Sequence, residues 1–206
     1  MAFLCTSAEC RIKTWKEVIL RPSDFYRKMP TTGGYADPLT FVAICLIINV
    51  LLRALVSYIM LKLGVHSRML TFGGMYDSRF NSSIFSYVII PFVLGIVSLF
   101  IIALIINFLY KALGGTGTYE GTLRFISYAY APKVLSLIPI LGLITGIYEL
   151  YLLIVGGMIV HNVSMKKSTM AVLLPTVLIF ILILMAFVMI IVSNFAHFLY
   201  GYFPLR

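Results

Sequence analysis

Residues 169–200, TMAVLLPTVLIFILILMAFVMIIVSNFAHFLY, contain no Asp, Glu, Lys or Arg. An apolar run becomes a span candidate at roughly 18 residues, and as a helix rising about 1.5 Å per residue this one outruns the roughly 30 Å hydrocarbon core of a bilayer. Pro175 falls in its first turns, where a membrane helix tolerates it. The rest of the chain has the same character. Its 206 residues are 61% hydrophobic and 11% charged, with a mean hydropathy of +1.04. No soluble core takes up such an excess of apolar surface, so the solvent for most of this chain is lipid.

Working back from that run, residues 122–163 are apolar but broken by Pro132 and Pro139, with Lys133 and Glu149 among them. They are read as a tight hairpin of two spans, 122–138 and 140–163. A re-entrant pair is the competing reading, disfavoured because the two arms exceed the roughly 30 residues that two half-spans need. Before the hairpin stands GGTGTYEGT, residues 114–122, and before that an apolar run over 84–113 with Pro91 near its start. A polar loop separates it from the first run, 38–63, which opens on Pro38 as helices often do. The expected fold is an all-α integral membrane protein: a bundle of five transmembrane helices over 38–206 (38–63, 84–113, 122–138, 140–163 and 169–200).

Residues 1–37 carry six Lys or Arg and four acids, too polar for the hydrocarbon. Ile12, Trp15, Val18 and Ile19 recur at helical spacing between Lys13, Lys16 and Glu17. That pattern predicts an amphipathic helix in the headgroup layer, anchored by Trp15 and ended by Pro22. Of the basic residues outside the spans, ten fall on one side if the N terminus is inside: six in this segment, then Lys111, Arg124, Lys166 and Lys167. Four fall opposite, namely Lys62, Arg68, Arg79 and Arg206. The asymmetry predicts a multi-pass protein of the cell membrane with a cytoplasmic N terminus and an external C terminus.

The net charge of +9 thus belongs to headgroup contact and orientation. The expected partners are the bilayer, with its anionic headgroups, and a protein partner or a second copy of the chain, with no nucleic acid. Three cysteines (Cys5, Cys10, Cys45) are too few for a disulfide framework and are expected to be reduced thiols.

Ionisable residues inside spans cost roughly 2.5 to 3.5 kcal/mol each at mid-helix on insertion scales, so each needs a partner or water. Arg53, Lys133 and Glu149 are three such residues. Counted from the helix ends they share the outer half of the bilayer, and Asn49, Arg53 and Ser57 form a polar stripe at spacing four. One reading is a structural ion pair of Glu149 with Arg53 or Lys133. The other is a polar cavity for an anionic headgroup, a small anion or a proton path, lined by the breaks at Pro132 and Pro139. The loop of Gly114, Gly115, Gly117, Tyr119, Glu120 and Thr122 lacks the Lys of a phosphate loop and any preceding strand, so it reads as a tight turn. His161 reads as an interfacial hydrogen-bonder. No nucleophile, base and orienting residue stand together, so neither catalysis, metal nor cofactor is expected.

Four stretches recur in a known order. They are Trp15, Val18, Pro22, Phe25 and Met29; Gly114, Gly115, Gly117, Tyr119 and Thr122; Tyr128, Ala131, Pro132 and Pro139; and Gly146, Tyr148, Gly156, Gly157, His161 and Ser164. In these the chain resembles the Yip (Ypt-interacting protein) family of five-span membrane proteins, and especially its short prokaryotic members. The eukaryotic members carry a long soluble N-terminal extension, where association with Rab-type GTPases has been described. That extension is missing here, so the resemblance does not carry that role over. What it implies is the five-span fold and a non-enzymatic part in membrane organisation or partner recruitment. The alternative function is a small transporter, channel or lipid-moving protein using the intramembrane charges.

Overall fold

The computed structural model describes residues 8–62, 89–136 and 139–202, and every structural statement concerns these. They are helical, with no strand among them: α1 (Ala8–Leu20), α2 (Pro22–Lys28), α3 (Ala36–Lys62), α4 (Ile90–Ala112), α5 (Tyr119–Ala129), a 3-10 helix (Ala131–Leu135), α6 (Pro139–His161) and α7 (Met165–Tyr202). Residues 84–88 of the expected second span, the loop bearing Arg68 and Arg79, Arg206 and the side chain of Ser57 lie outside the described residues.

Among the described residues, four helices are long and apolar enough to cross a membrane. They are α3, α4, α6 and α7, which match the first, second, fourth and fifth expected spans. The third differs. Thr118 caps α5 by accepting a hydrogen bond from Gly121 N at 3.1 Å, and α5 then runs for only 11 residues. At about 1.5 Å per residue that is roughly 16 Å, about half a hydrocarbon core. Pro132, with no N–H to continue the α pattern, sits in the tighter 3-10 helix that follows and ends near Ser136. Every residue from Gly121 to Ala129 is buried, the polar Thr122, Arg124 and Ser127 included, so α5 is enclosed by protein on all sides.

The α5 and 3-10 segment runs antiparallel to α6: Thr122 lies against His161 at one end, and Lys133 against Glu149 further along. One end of the bundle therefore collects five helix termini. There the end of α4 meets the end of α6 through Thr116 N donating to His161 O at 3.0 Å. Lys167 at the start of α7 donates to Leu113 O at 2.8 Å. Gly34, just before α3, donates its N–H to Glu120 at the start of α5. The aromatic core is concentrated here, with Phe25 and Phe41 each 5.0 Å from Tyr128 and Tyr110 edge-on to Phe125. Such pairs add about 0.5 to 1.5 kcal/mol each beyond their buried area.

The N-terminal helix expected in the headgroup layer packs its apolar side on the bundle. Val18, Phe25, Tyr26 and Met29 belong to the common core, and the Trp15 indole, half-buried, donates to Ala131 O at 2.9 Å. Facing outward are Ile12, Lys13, Lys16, Leu20 and Arg21. The expectation of reduced thiols is corrected: Cys45 is free and buried, whereas Cys10 is disulfide-bonded. Three cysteines are too few for a framework but enough for one bridge.

Beyond Val172, α7 leaves the bundle, and its apolar side chains from Val177 to Phe195 are exposed throughout. In water this would be untenable; as the lipid-facing wall of a span it is ordinary.

Candidate functional site

The glycine-rich turn is built around a buried histidine. Gly114, at φ +84°, adopts the left-handed conformation that reverses the chain after α4, and Gly115 N donates to Tyr110 O at 2.8 Å. A Cβ on Gly117 would stand 2.8 Å from both His161 Nδ1 and Val160 O, so only glycine lets the turn lie on α6. His161 is fully buried and stacked on Tyr110, ring centroids 4.3 Å apart and 7° from parallel. Its Nε2 is 2.8 Å from Thr122 Oγ1, which is also within hydrogen-bond reach of Thr118 O and Asn107 Oδ1. The hydroxyl has one proton and two oxygen acceptors for it, so we assign the ring N–H to Nε2. Nδ1 then presents a bare lone pair to the glycine turn, with no hydrogen-bond partner. Tyr110 Oη and Ser168 Oγ are 2.6 Å apart, and Ser168 donates on to Ile154 O. This network ties α4, α5, α6 and α7 together. His161 is thus a hydrogen-bonder as the sequence suggested, but in the core rather than at an interface.

Arg124 was read from the sequence only as an inner-side positive charge. In the structure it is 2% exposed and is the largest fully buried side chain among the described residues. Its Nε lies 3.3 Å from Glu120 Oε1, its Nη1 donates to Pro30 O at 3.3 Å and its Nη2 to Gly34 O at 2.5 Å. Glu120 also accepts from Gly34 N at 2.6 Å. One ion pair therefore clamps the segment linking α2 to α3 onto the start of α5. Nearby, burial pushes the Tyr26 phenol well above its ordinary range, and it stays neutral while donating to Phe125 O. Tyr119 Oη donates to Phe100 O at 3.4 Å.

Part-way along the bundle Arg53, Lys133 and Glu149 meet the helix break. Glu149 pairs with Lys133 at 3.1 Å, and the Lys133 ammonium lies 3.7 Å above the Tyr130 ring. Arg53 is not part of that pair; its Nη2 donates to Ser136 O at 3.3 Å. Asn49 donates from Nδ2 to Lys133 O at 2.5 Å and to Ser136 Oγ at 3.1 Å. Polar side chains of α3 thus donate to carbonyls at the end of the 3-10 helix, Ser136 O and Lys133 O, the latter also accepting from Ser136 N at 3.1 Å. Pro139 is the first residue of α6. No group of three or more metal-ligating side chains occurs among the described residues.

In chemical terms the helix-end cluster is a closed network whose one unpartnered buried polar side-chain atom among the described residues is His161 Nδ1, and the mid-bundle group holds one charge more than it neutralises. The family model described as the Yip1 domain matches residues 16–188, which includes both clusters and, apart from Trp15, all four stretches of resemblance. No curated protein and no solved structure matches the chain.

Proposed function

The chain belongs to the Yip1 domain family, and from that membership we propose that it is a non-enzymatic protein of the cell membrane that organises membrane or recruits a protein partner. The observation that carries this reading is the use made of the family-motif residues. Gly114, Gly115, Gly117, Thr122 and His161 are spent on holding helix ends together, with Arg124 and Glu120 beside them. Polar groups engaged with one another in this way, with only His161 Nδ1 left over among the described residues, suit a rigid platform better than a moving pathway.

In this reading the chain crosses the bilayer five times, α5 and the 3-10 helix together making the third crossing. The gathered helix ends support an odd number of crossings. The chain leaves that end at α5 and returns to it at α6, so the excursion between them adds either two crossings or none, and α3, α4 and α7 add one each. The termini then lie on opposite sides. Lys111, Arg124, Lys166 and Lys167 sit at or beside the gathered end, which makes it the cytoplasmic one.

The test is reconstitution of the pure protein into liposomes, with ion flux and lipid scrambling measured beside crosslinking in native membranes. Flux and scrambling are expected to stay at the protein-free baseline. Crosslinkers at the exposed Lys28 and Lys166 are expected to recover one defined partner or a second copy. Transport above baseline that Glu149→Gln or Arg53→Gln abolishes would replace this reading with the transporter.

A further inference from the structure

Arg53 lies on α3 about 13 Å before the end of the helix at Lys62, on a rise of ~1.5 Å per residue. It is exposed, and one of its five guanidinium N–H groups is accounted for by Ser136 O. No carboxylate among the described residues is paired with it: Glu149 is taken by Lys133 and Glu120 by Arg124. The group of Arg53, Lys133 and Glu149 therefore carries one unneutralised positive charge. That charge is tethered on its protein side and open on its outer side.

Its surroundings point to the missing anion. Ile48, Leu51 and Leu55 are exposed apolar neighbours on the same helix. At i−3 and i−6 from Arg53, Val50 and Ile47 line with Ile89 and Phe92 a wholly apolar recess between α3 and α4. An oxyanion joined to an acyl chain fits both features, because a guanidinium fork matches two phosphate oxygens and the recess takes hydrocarbon. A free anion would gain nothing from the recess.

We propose that Arg53, held by Ser136 with Asn49 fixing the helix break behind it, is a binding site for the phosphate of a membrane lipid in the outer half of the bilayer. The inference rests on α3 crossing the membrane, and it is independent of whether the protein recruits partners.

The experiment uses the full chain, purified in neutral detergent, with lipid retention read by native mass spectrometry and protection read by thermal melting. Phosphatidylglycerol, diacylglycerol and inorganic phosphate are titrated separately. One phosphatidylglycerol per chain is expected to be retained, with affinity falling about tenfold in Arg53→Gln and less in Arg53→Lys, which keeps the charge but loses the fork. Lys13→Gln/Lys16→Gln, on the exposed N-terminal face, is expected to bind as the wild type does. Should Arg53→Gln fail to fold, a loss in Arg53→Lys carries the test. Diacylglycerol is expected to be lost, and phosphate alone to give no protection. Unchanged retention in both Arg53 variants overturns the site. Equal protection by inorganic phosphate overturns its assignment to lipid, and loss of retention only in the Lys13/Lys16 variant moves the binding to the inner face and overturns the proposal. None of these outcomes bears on the liposome and crosslinking results.

Discussion

Replacing either member of the Glu149–Lys133 pair should destabilise the protein, and the two replacements should differ in a definite order. At 3.1 Å, with an effective dielectric constant near 20, the gross attraction is about 5 kcal/mol, most of it offset by desolvation. Removing one partner of a fully buried pair costs roughly 3 to 5 kcal/mol, because the survivor keeps its desolvation penalty. Here the side chains are 15% exposed for Glu149 and 36% for Lys133, so the two survivors are not equally confined. In Glu149→Gln the ammonium can reach toward the headgroups on its flexible stem and keeps the Tyr130 ring, worth about 0.5 to 1 kcal/mol, and the expected cost is about 1.5 kcal/mol. In Lys133→Gln the carboxylate keeps neither, and the expected cost is about 2.5 kcal/mol. The double variant should recover about 1 to 2 kcal/mol of the summed losses. Thermal melting in detergent reads all three, at about 2 to 4 °C per kcal/mol for a chain of this size. As a control, Arg53→Gln with Glu149→Gln should be additive. Additivity in the Lys133 cycle, or stronger coupling to Arg53, would refute the pairing.

Two further outcomes concern the other end of the bundle. Arg124→Gln should cost about 3 kcal/mol, because it strips charged hydrogen bonds from Pro30 O and Gly34 O; limited proteolysis should then cut within 30–35, and unchanged resistance there would count against the clamp. Gly157→Ala should lower stability by about 1 to 3 kcal/mol in the same melting assay despite the better helix propensity of Ala, since the new methyl would overlap the Tyr110 ring and hydroxyl and displace it from Ser168; a stability gain would show that Tyr110 yields freely.

The spans were legible because lipid demands long uncharged runs, and α3, α6 and α7 begin and end within a few residues of where hydropathy puts them. The start of α7 came four residues early because Met165, Lys166, Lys167 and Ser168 are helical for a tertiary reason: they carry Ser168 onto Tyr110. The region 122–138 reads as one helix in the sequence, whereas α5 is a short enclosed helix that buries Thr122, Arg124 and Ser127 against protein. Pro132 marked the break but not how short the helix before it would be. The sequence shows Arg124 four residues after Glu120, but not its burial, since its other acceptors are backbone carbonyls some 90 positions away, and carbonyls leave no trace in side-chain identity. For Glu149, depth counted from the helix ends put both cations within reach. The choice between them followed from the antiparallel register of the broken segment on α6, which brings Lys133 to it and leaves Arg53 on the far side of Ser136.

That register also separates two levels of polar structure along the bundle. At the gathered helix ends, Arg124 pairs with Glu120, His161 Nε2 with Thr122 and Tyr110 with Ser168, all largely covered by protein. Midway along, Asn49, Arg53 and Trp15, drawn from both α1 and α3, donate to Lys133 O, Ser136 O and Ala131 O of the broken segment. A break in a membrane helix leaves carbonyls that lipid cannot satisfy, so the chain must supply donors at that depth. Asn49 and Trp15 do this as neutral groups, but Arg53 brings a full charge where an amide would have served. The excess donors on Arg53 are therefore not explained by the break, and they are the part of this level left over for a ligand. Asn49→Leu should accordingly loosen the break and lower stability, while Arg53→Gln should leave the break bonded through the new amide. If the two changes lowered melting equally in lipid-free detergent, Arg53 would be an ordinary strut of the fold with nothing to spare.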